Sequence, residues 1–110
     1  MPSYVYILKC ADGSYYTGCT SDLSRRMWEH EQGVSPAAYT NSRRPVELVW
    51  SGEAASRREA LEFEHQVKGW TRAKKEALIR DNWNDIHETV KAERKTREAK
   101  KKLLKGKLQP

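Results

Sequence analysis

The chain has 110 residues, 37% of them hydrophobic and 33% charged, enough for one modest core and not for two independent domains. A net charge of +6 favours a polyanionic partner, nucleic acid first, with ribosomal RNA or an anionic membrane surface as rivals. No apolar run approaches the ~20 residues that span a bilayer, no basic segment precedes an apolar stretch at the N-terminus, and Cys10 and Cys19 lack metal-ligand spacing, so reduced thiols in a cytoplasmic protein are expected.

Residues 4–9, YVYILK, are β-branched and aromatic and predict a strand; ADG (11–13) is a turn signal and YYTGC (15–19) the returning strand of a hairpin. Two registers are open. A two-residue turn at Asp12-Gly13 pairs Lys9 with Tyr16 and puts Tyr6 and Tyr16 on opposite faces. A three-residue loop pairs Leu8 with Tyr16 and puts Tyr6, Leu8 and Tyr16 on one face, with Gly13 suited to the left-handed position that closes it. Ser21 is the expected N-cap of a helix on which Leu23, Arg26, Met27 and His30 recur at helical spacing, with Gly33 as its stop. Arg26 and His30 then stack one turn apart, about 5–6 Å. Residues 34–45 read as a loop carrying Tyr39, Arg43 and Arg44, and 46–53 as a third strand. SRRE (56–59) has capping-box spacing and opens a helix over 56–69, with Ala60, Leu61, Glu64, Val67 and Lys68 sharing one side. Thr71 caps a second helix, RAKKEALIRD; NWND (82–85) interrupts the pattern, and Asp85 with Glu88 marks the start of a last helix. From about residue 88 the composition turns strongly basic, which predicts a solvated helix or tail outside the core. The expectation is therefore an α+β domain over 1–85, a small three-stranded antiparallel sheet flanked by helices in the order β-β-α-β-α-α, followed by a basic helix or tail over 86–110.

Taken singly, each residue of interest has an ordinary reading. Tyr6 and Tyr16 suit a half-buried sheet face, Arg26 and Glu64 a solvated helix surface, and the four tryptophans packing or partly exposed anchors. Taken in order, they resemble the GIY-YIG nuclease family. The first family motif corresponds to YVY (4–6), keeping Tyr6 but with Tyr4 in place of a glycine. The second corresponds to YTG (16–18), keeping Tyr16 and Gly18. Arg26 follows Gly18 by eight positions, His30 follows four later, and ALEFE (60–64) supplies Glu64. The segments RRPVELVWSGE and EALEFEHQVKGWTRAKKEALI resemble the small bacterial single-domain members, which are similar to the catalytic domain of a eukaryotic structure-specific endonuclease. Cys19 stands where many members carry a lysine, and Asn82 and Asn84 match a late family asparagine by position only.

The resemblance implies metal-assisted hydrolysis of a phosphodiester. Arg26 would hold the phosphate, Glu64 would bind one Mg²⁺ or Mn²⁺, and Tyr6 would be the general base. Tyr16 and His30 would orient water and phosphate, with a share of the base role open to His30. Arg25, Tyr39, Arg43, Arg44, Lys68, Arg72, Lys74 and Lys75, with Arg57 and Arg58, would line a DNA track that contacts backbone and reads no bases. Branched or flapped DNA in repair or recombination is then the expected substrate, with a protein partner for targeting. The alternative is a catalytically weak nucleic-acid-binding module on the same scaffold. An RNA-directed role is permitted by charge alone.

Overall fold

A computed structural model describes residues 2–82, 85–93 and 95. Its elements are β1 (Ser3–Lys9), β2 (Tyr15–Thr20), α1 (Leu23–Gln32), α2 (Ala38–Asn41), β3 (Glu47–Ala54), α3 (Arg57–Lys68) and α4 (Arg72–Asp81), and residues 86–93 are helical as well. The three strands form one antiparallel sheet in the order β2-β1-β3, an α+β fold. No helix among the described residues is long and apolar enough to cross a membrane.

As the central strand, β1 is covered on both faces, and Val5, Tyr6, Ile7 and Leu8 are all fully buried. That is why its sequence is a continuous apolar run rather than an alternation. Val5 and Ile7 join Trp50 and Ala54 of β3 and Ala60, Phe63 and Val67 of α3 in the main core. Tyr6 and Leu8 point to the opposite face.

Chemistry at the turn decides the hairpin register. Cys10 N–H donates to Ser14 O at 2.8 Å, Gly13 N–H donates to Cys10 O at 2.9 Å, and Gly13 has φ +83°. This is the three-residue loop, and it sets Leu8 opposite Tyr16 and Tyr6 opposite Gly18. Both tyrosines therefore share one face, the arrangement the sequence permitted without deciding.

Four expectations need correction. Asp22, not Ser21, caps α1: its side chain accepts from Arg25 N–H, while Gly33 ends the helix in the left-handed conformation as expected. The 34–45 segment is not all loop, since it contains the single turn α2. On α3 the buried stripe is Ala60, Phe63 and Val67, and Leu61 is 46% exposed. Chain beyond residue 88 does not all lie outside the core, because Val90 is buried beside Ile86, Leu78 and Val67 in the main cluster. Ser56 and Thr71 cap α3 and α4 as expected, and Asn82 closes α4 with φ +48°. Trp83, Asn84 and residues 96–110 lie outside the described residues.

Candidate active site

The site begins at the β1–β2 pair. Gly18, opposite Tyr6, leaves room for the phenol; a β-carbon there would lie 2.5 Å from Tyr6 Oη. Tyr6 packs beside Tyr16, with ring centroids 6.4 Å apart, and the His30 ring sits edge-on to both at 5.6 Å. Asp22 starts α1 immediately after β2, so Arg26 and His30, one turn apart, are brought over this face.

Tyr6 Oη lies 2.9 Å from His30 Nε2, and His30 Nδ1 lies 2.7 Å from Thr40 Oγ1 of α2. Thr40 in turn donates to Ala37 O at 3.2 Å. Tyr6, His30 and Thr40 are each fully buried. Burial, then the neighbouring Tyr16, pushes the Tyr6 phenol well above the ordinary tyrosine range, against the opposing influence of the nearby Arg26 guanidinium. Burial, then the Arg26 charge, pushes His30 below the usual imidazole range. Both effects favour a neutral pair.

Arg26 approaches Tyr6 on one side and lines a polar pocket of ≈ 250 Å³ on the other, with Ser3, Cys19, Thr20, Ser21 and Arg57. Its buried Nε forms an ion pair with Glu29 Oε1 at 3.3 Å but makes no hydrogen bond. Two guanidinium groups around one small recess, with hydroxyls between them, suit a phosphate.

Glu64 stands on α3, near enough to Tyr6, Tyr16 and Cys19 for its charge to act on them. Its carboxylate is largely buried, pairs with Lys68 Nζ at 2.7 Å, and lies near the Cys19 thiol. Burial first, then Glu64, pushes that thiol up to about 12, which favours a neutral Cys19. The Lys68 ammonium also stands 6.0 Å from the centre of the Tyr16 ring. Among the described residues no group of three or more His, Cys, Asp or Glu side chains gathers to hold a metal. A carboxylate such as Glu64 is a hard oxygen donor, the kind that would suit a divalent cation if one were bound here.

The basic residues divide. Lys68, Lys75 and Tyr39 line a pocket of ≈ 290 Å³ with Tyr15, Tyr16 and Thr17, directly beside the site. Tyr39 stacks on Tyr16 and carries the Arg43 guanidinium 3.8 Å from its ring centre. Arg43 also pairs with Asp12, and Arg44 bonds Glu31 O and Asn41 O, which ties α1 to α2. Arg72 pairs with Glu76 and bonds Gly13 O, next to Tyr15. Lys74 is not brought to the site: it pairs with Glu93 and lies over Trp70. Arg58 sits in a separate recess with Ser56, Glu59 and Glu62, and Arg25 is exposed on α1. Sequence reasoning missed Thr40, for which the one available signal was that a buried histidine on α1 needs a second hydrogen-bond partner.

The description "GIY-YIG catalytic domain" matches residues 2–77. This chain belongs to the GIY-YIG family. Among its relatives, the UPF0213 protein of Bacillus pumilus is 49% identical over 78 residues, 71% of this chain and 79% of that one. A UPF0213 protein of Natronomonas pharaonis is 47% identical over 71% of this chain and 91% of its own. The solution NMR structure of the UPF0213 protein from Bacillus halodurans is 47% identical and covers 72% of this chain and 83% of its own, with a TM-score of 0.48. The GIY-YIG match places the chain in a nuclease family, and it spans the two tyrosines, Gly18, Arg26, His30 and Glu64.

Proposed function

We propose that this GIY-YIG protein is a Mg²⁺- or Mn²⁺-dependent DNA endonuclease of the cytoplasm that hydrolyses phosphodiester bonds in branched or flapped DNA during repair or recombination. The observation that supports this reading most is the arrangement around Arg26. Its guanidinium, ion-paired with Glu29 but with Nε not hydrogen-bonded, joins the Tyr6–His30 pair to a recess that it shares with Arg57. Such a recess holds a phosphate directly beside a proton acceptor, the juxtaposition that hydrolysis of a phosphodiester needs.

Arg26 and Arg57 take the phosphoryl oxygens. Glu64 would hold the cation, which when bound neutralises charge on the phosphate and supports the leaving oxygen. Tyr6 receives the proton of the attacking water, and Tyr16 packs over it and excludes bulk solvent. A phosphate that draws Arg26 outward uncovers the Tyr6 hydroxyl, which is otherwise fully buried. Backbone contacts through Lys75 and the Tyr39 pocket give affinity without base readout, hence selection by shape.

A binding module without cutting is the second reading. It is favoured by the Glu64–Lys68 pair, since an ammonium already neutralises the lone carboxylate. One experiment separates the two. Purified protein is incubated with labelled branched, flapped, duplex and single-stranded DNA in Mg²⁺, Mn²⁺ or EDTA, beside Tyr6→Phe and Glu64→Ala. Metal-dependent cutting of branched or flapped DNA, abolished in both variants, is expected. Binding without cutting, unchanged by Glu64→Ala, favours the module, and cutting that survives both variants refutes the assigned site.

A further inference from the structure

We propose that Thr40 sets the direction of the proton at Tyr6: it holds His30 in the tautomer whose Nε2 accepts, so Tyr6 turns its lone pairs, not its hydrogen, toward the phosphate site. The catalytic consequence rests on the nuclease reading; the hydrogen-bond polarity does not.

The hydroxyl of Thr40 gives the polarity. Thr40 Oγ1 has one hydrogen and spends it on Ala37 O at 3.2 Å. It can therefore only accept from His30 at 2.7 Å, so Nδ1 carries the proton. Nε2 is then a bare lone pair 2.9 Å from Tyr6 Oη, and the bond must run from the phenol to the imidazole. On its other side Tyr6 has the Arg26 guanidinium nearby, which carries only donors and offers no acceptor for the Tyr6 hydrogen. The opposite tautomer, with a proton on Nε2, would make His30 the donor and push the Tyr6 hydrogen into the site. Tyr6 would then be unable to accept a proton from water.

In the reaction, the water oxygen bonds to phosphorus and the bond to the leaving sugar oxygen breaks. One proton passes from that water to Tyr6 Oη as the Tyr6 proton passes to His30 Nε2, and the leaving alkoxide takes a proton from solvent. His30 then returns its proton through Tyr6, and Tyr6 releases one to solvent. The phenol stays neutral throughout, as its burial requires. Thr40 accepts from Nδ1–H in both the imidazole and the imidazolium, so nothing need reorient. His30 is faced by Tyr6 on β1, Tyr16 on β2, and Arg26 and Glu29 on its own helix, while Thr40 on α2 carries no charge. Thr40 touches neither phosphate nor water and is a positioning residue.

The test reads the tautomer directly. In the ¹⁵N-labelled full chain, long-range ¹H–¹⁵N spectra near pH 7.5, a pH set to keep imidazole neutral, should show His30 protonated at Nδ1 and bare at Nε2. This wild-type measurement needs no variant. Protonation at Nε2 would overturn the proposal. Thr40→Val should move the proton toward Nε2 and reduce cutting on the order of 10²-fold, the scale of a lost proton acceptor. Thr40→Ser should restore both. An unchanged tautomer in Thr40→Val, or a moved tautomer with full cutting, would refute it. Should the wild type cut nothing, the nuclease reading falls, yet the His30 spectra still decide what Thr40 does.

Discussion

A β-carbon at position 18 would meet Tyr6 Oη at 2.5 Å and Cζ at 2.6 Å, on a ring that neighbours hold in place. The tyrosine cannot step aside, because His30 and Tyr16 occupy the space around it. Gly18→Ala should therefore cost about 1–3 kcal/mol as overpacking, read as a lower urea midpoint, and should lower cutting because Tyr6 is displaced. Gly13 is retained for another reason: its φ is +83° and nothing lies within 4 Å of its missing β-carbon. Gly13→Asn, which tolerates that conformation, should be nearly neutral in the same titration. His30 makes a pH prediction. Its folded pKa lies below the ordinary value of about 6.5, through burial first and Arg26 second. The unfolded chain thus binds the additional proton below pH 6.5. The His30 contribution is whole above that pH and is lost as pH falls toward the folded value. His87 acts oppositely, because its bond to Glu59 raises its pKa; its contribution is present at low pH and lost as pH rises. The urea midpoint of His87→Gln should accordingly fall more steeply between pH 7 and pH 5 than that of the wild type. Parallel curves would mean that the His87–Glu59 pair is not formed.

At the scale of elements, what could be read beforehand depended on how local the deciding interaction is. The hairpin follows from a turn glycine between two runs of β-branched and aromatic residues, so its strands were legible and its register was reduced to two choices. The caps Ser56 and Thr71 act within three residues and were equally plain. The α1 cap went wrong by one position, because Ser21 and Asp22 are both good caps and only backbone geometry chooses between them. Phe63 and Leu61 are both apolar on α3; which one is buried depends on where the sheet lies. The turn α2 is four residues long, too short for any period to show, and Thr40 was hidden with it. Val90 was masked by the charged residues around it, although one apolar residue per turn can bury a helix against a core. Ile86 and Val90, each 2% exposed, extend the packed unit past residue 85, and Glu93 reinforces it through Trp70 and Lys74. Ile86→Ala should cost about 2–5 kcal/mol as a core truncation, and a chain ended at residue 85 should lose more than that substitution alone. Equal urea midpoints for the wild type and the shortened chain would show that the helix over 86–93 adds nothing.

For the whole molecule, a net charge of +6 says that polyanions are attracted but not where. The structure divides the basic residues by what each already holds. Arg57 shares the Arg26 recess and Lys75 shares the Tyr16–Tyr39 pocket, both next to the assigned chemistry. Arg44 is spent on Glu31 O and Asn41 O, and Lys74 on Glu93 and Trp70. A residue already bonded within the fold must give up that interaction before it can neutralise a phosphate, and its gain is correspondingly smaller. Each neutralised phosphate adds about 0.9 to the negative slope of log affinity against log salt on duplex DNA. Arg57→Ala and Lys75→Ala should therefore each reduce the magnitude of that slope by about 1, and the double variant by about 2. Lys74→Ala removes the same charge and should leave the slope unchanged. Fluorescence anisotropy with a labelled duplex across a salt series measures all four proteins against the wild type. Equal losses from Lys74→Ala and Lys75→Ala would mean that binding follows total charge rather than the face that carries Tyr16.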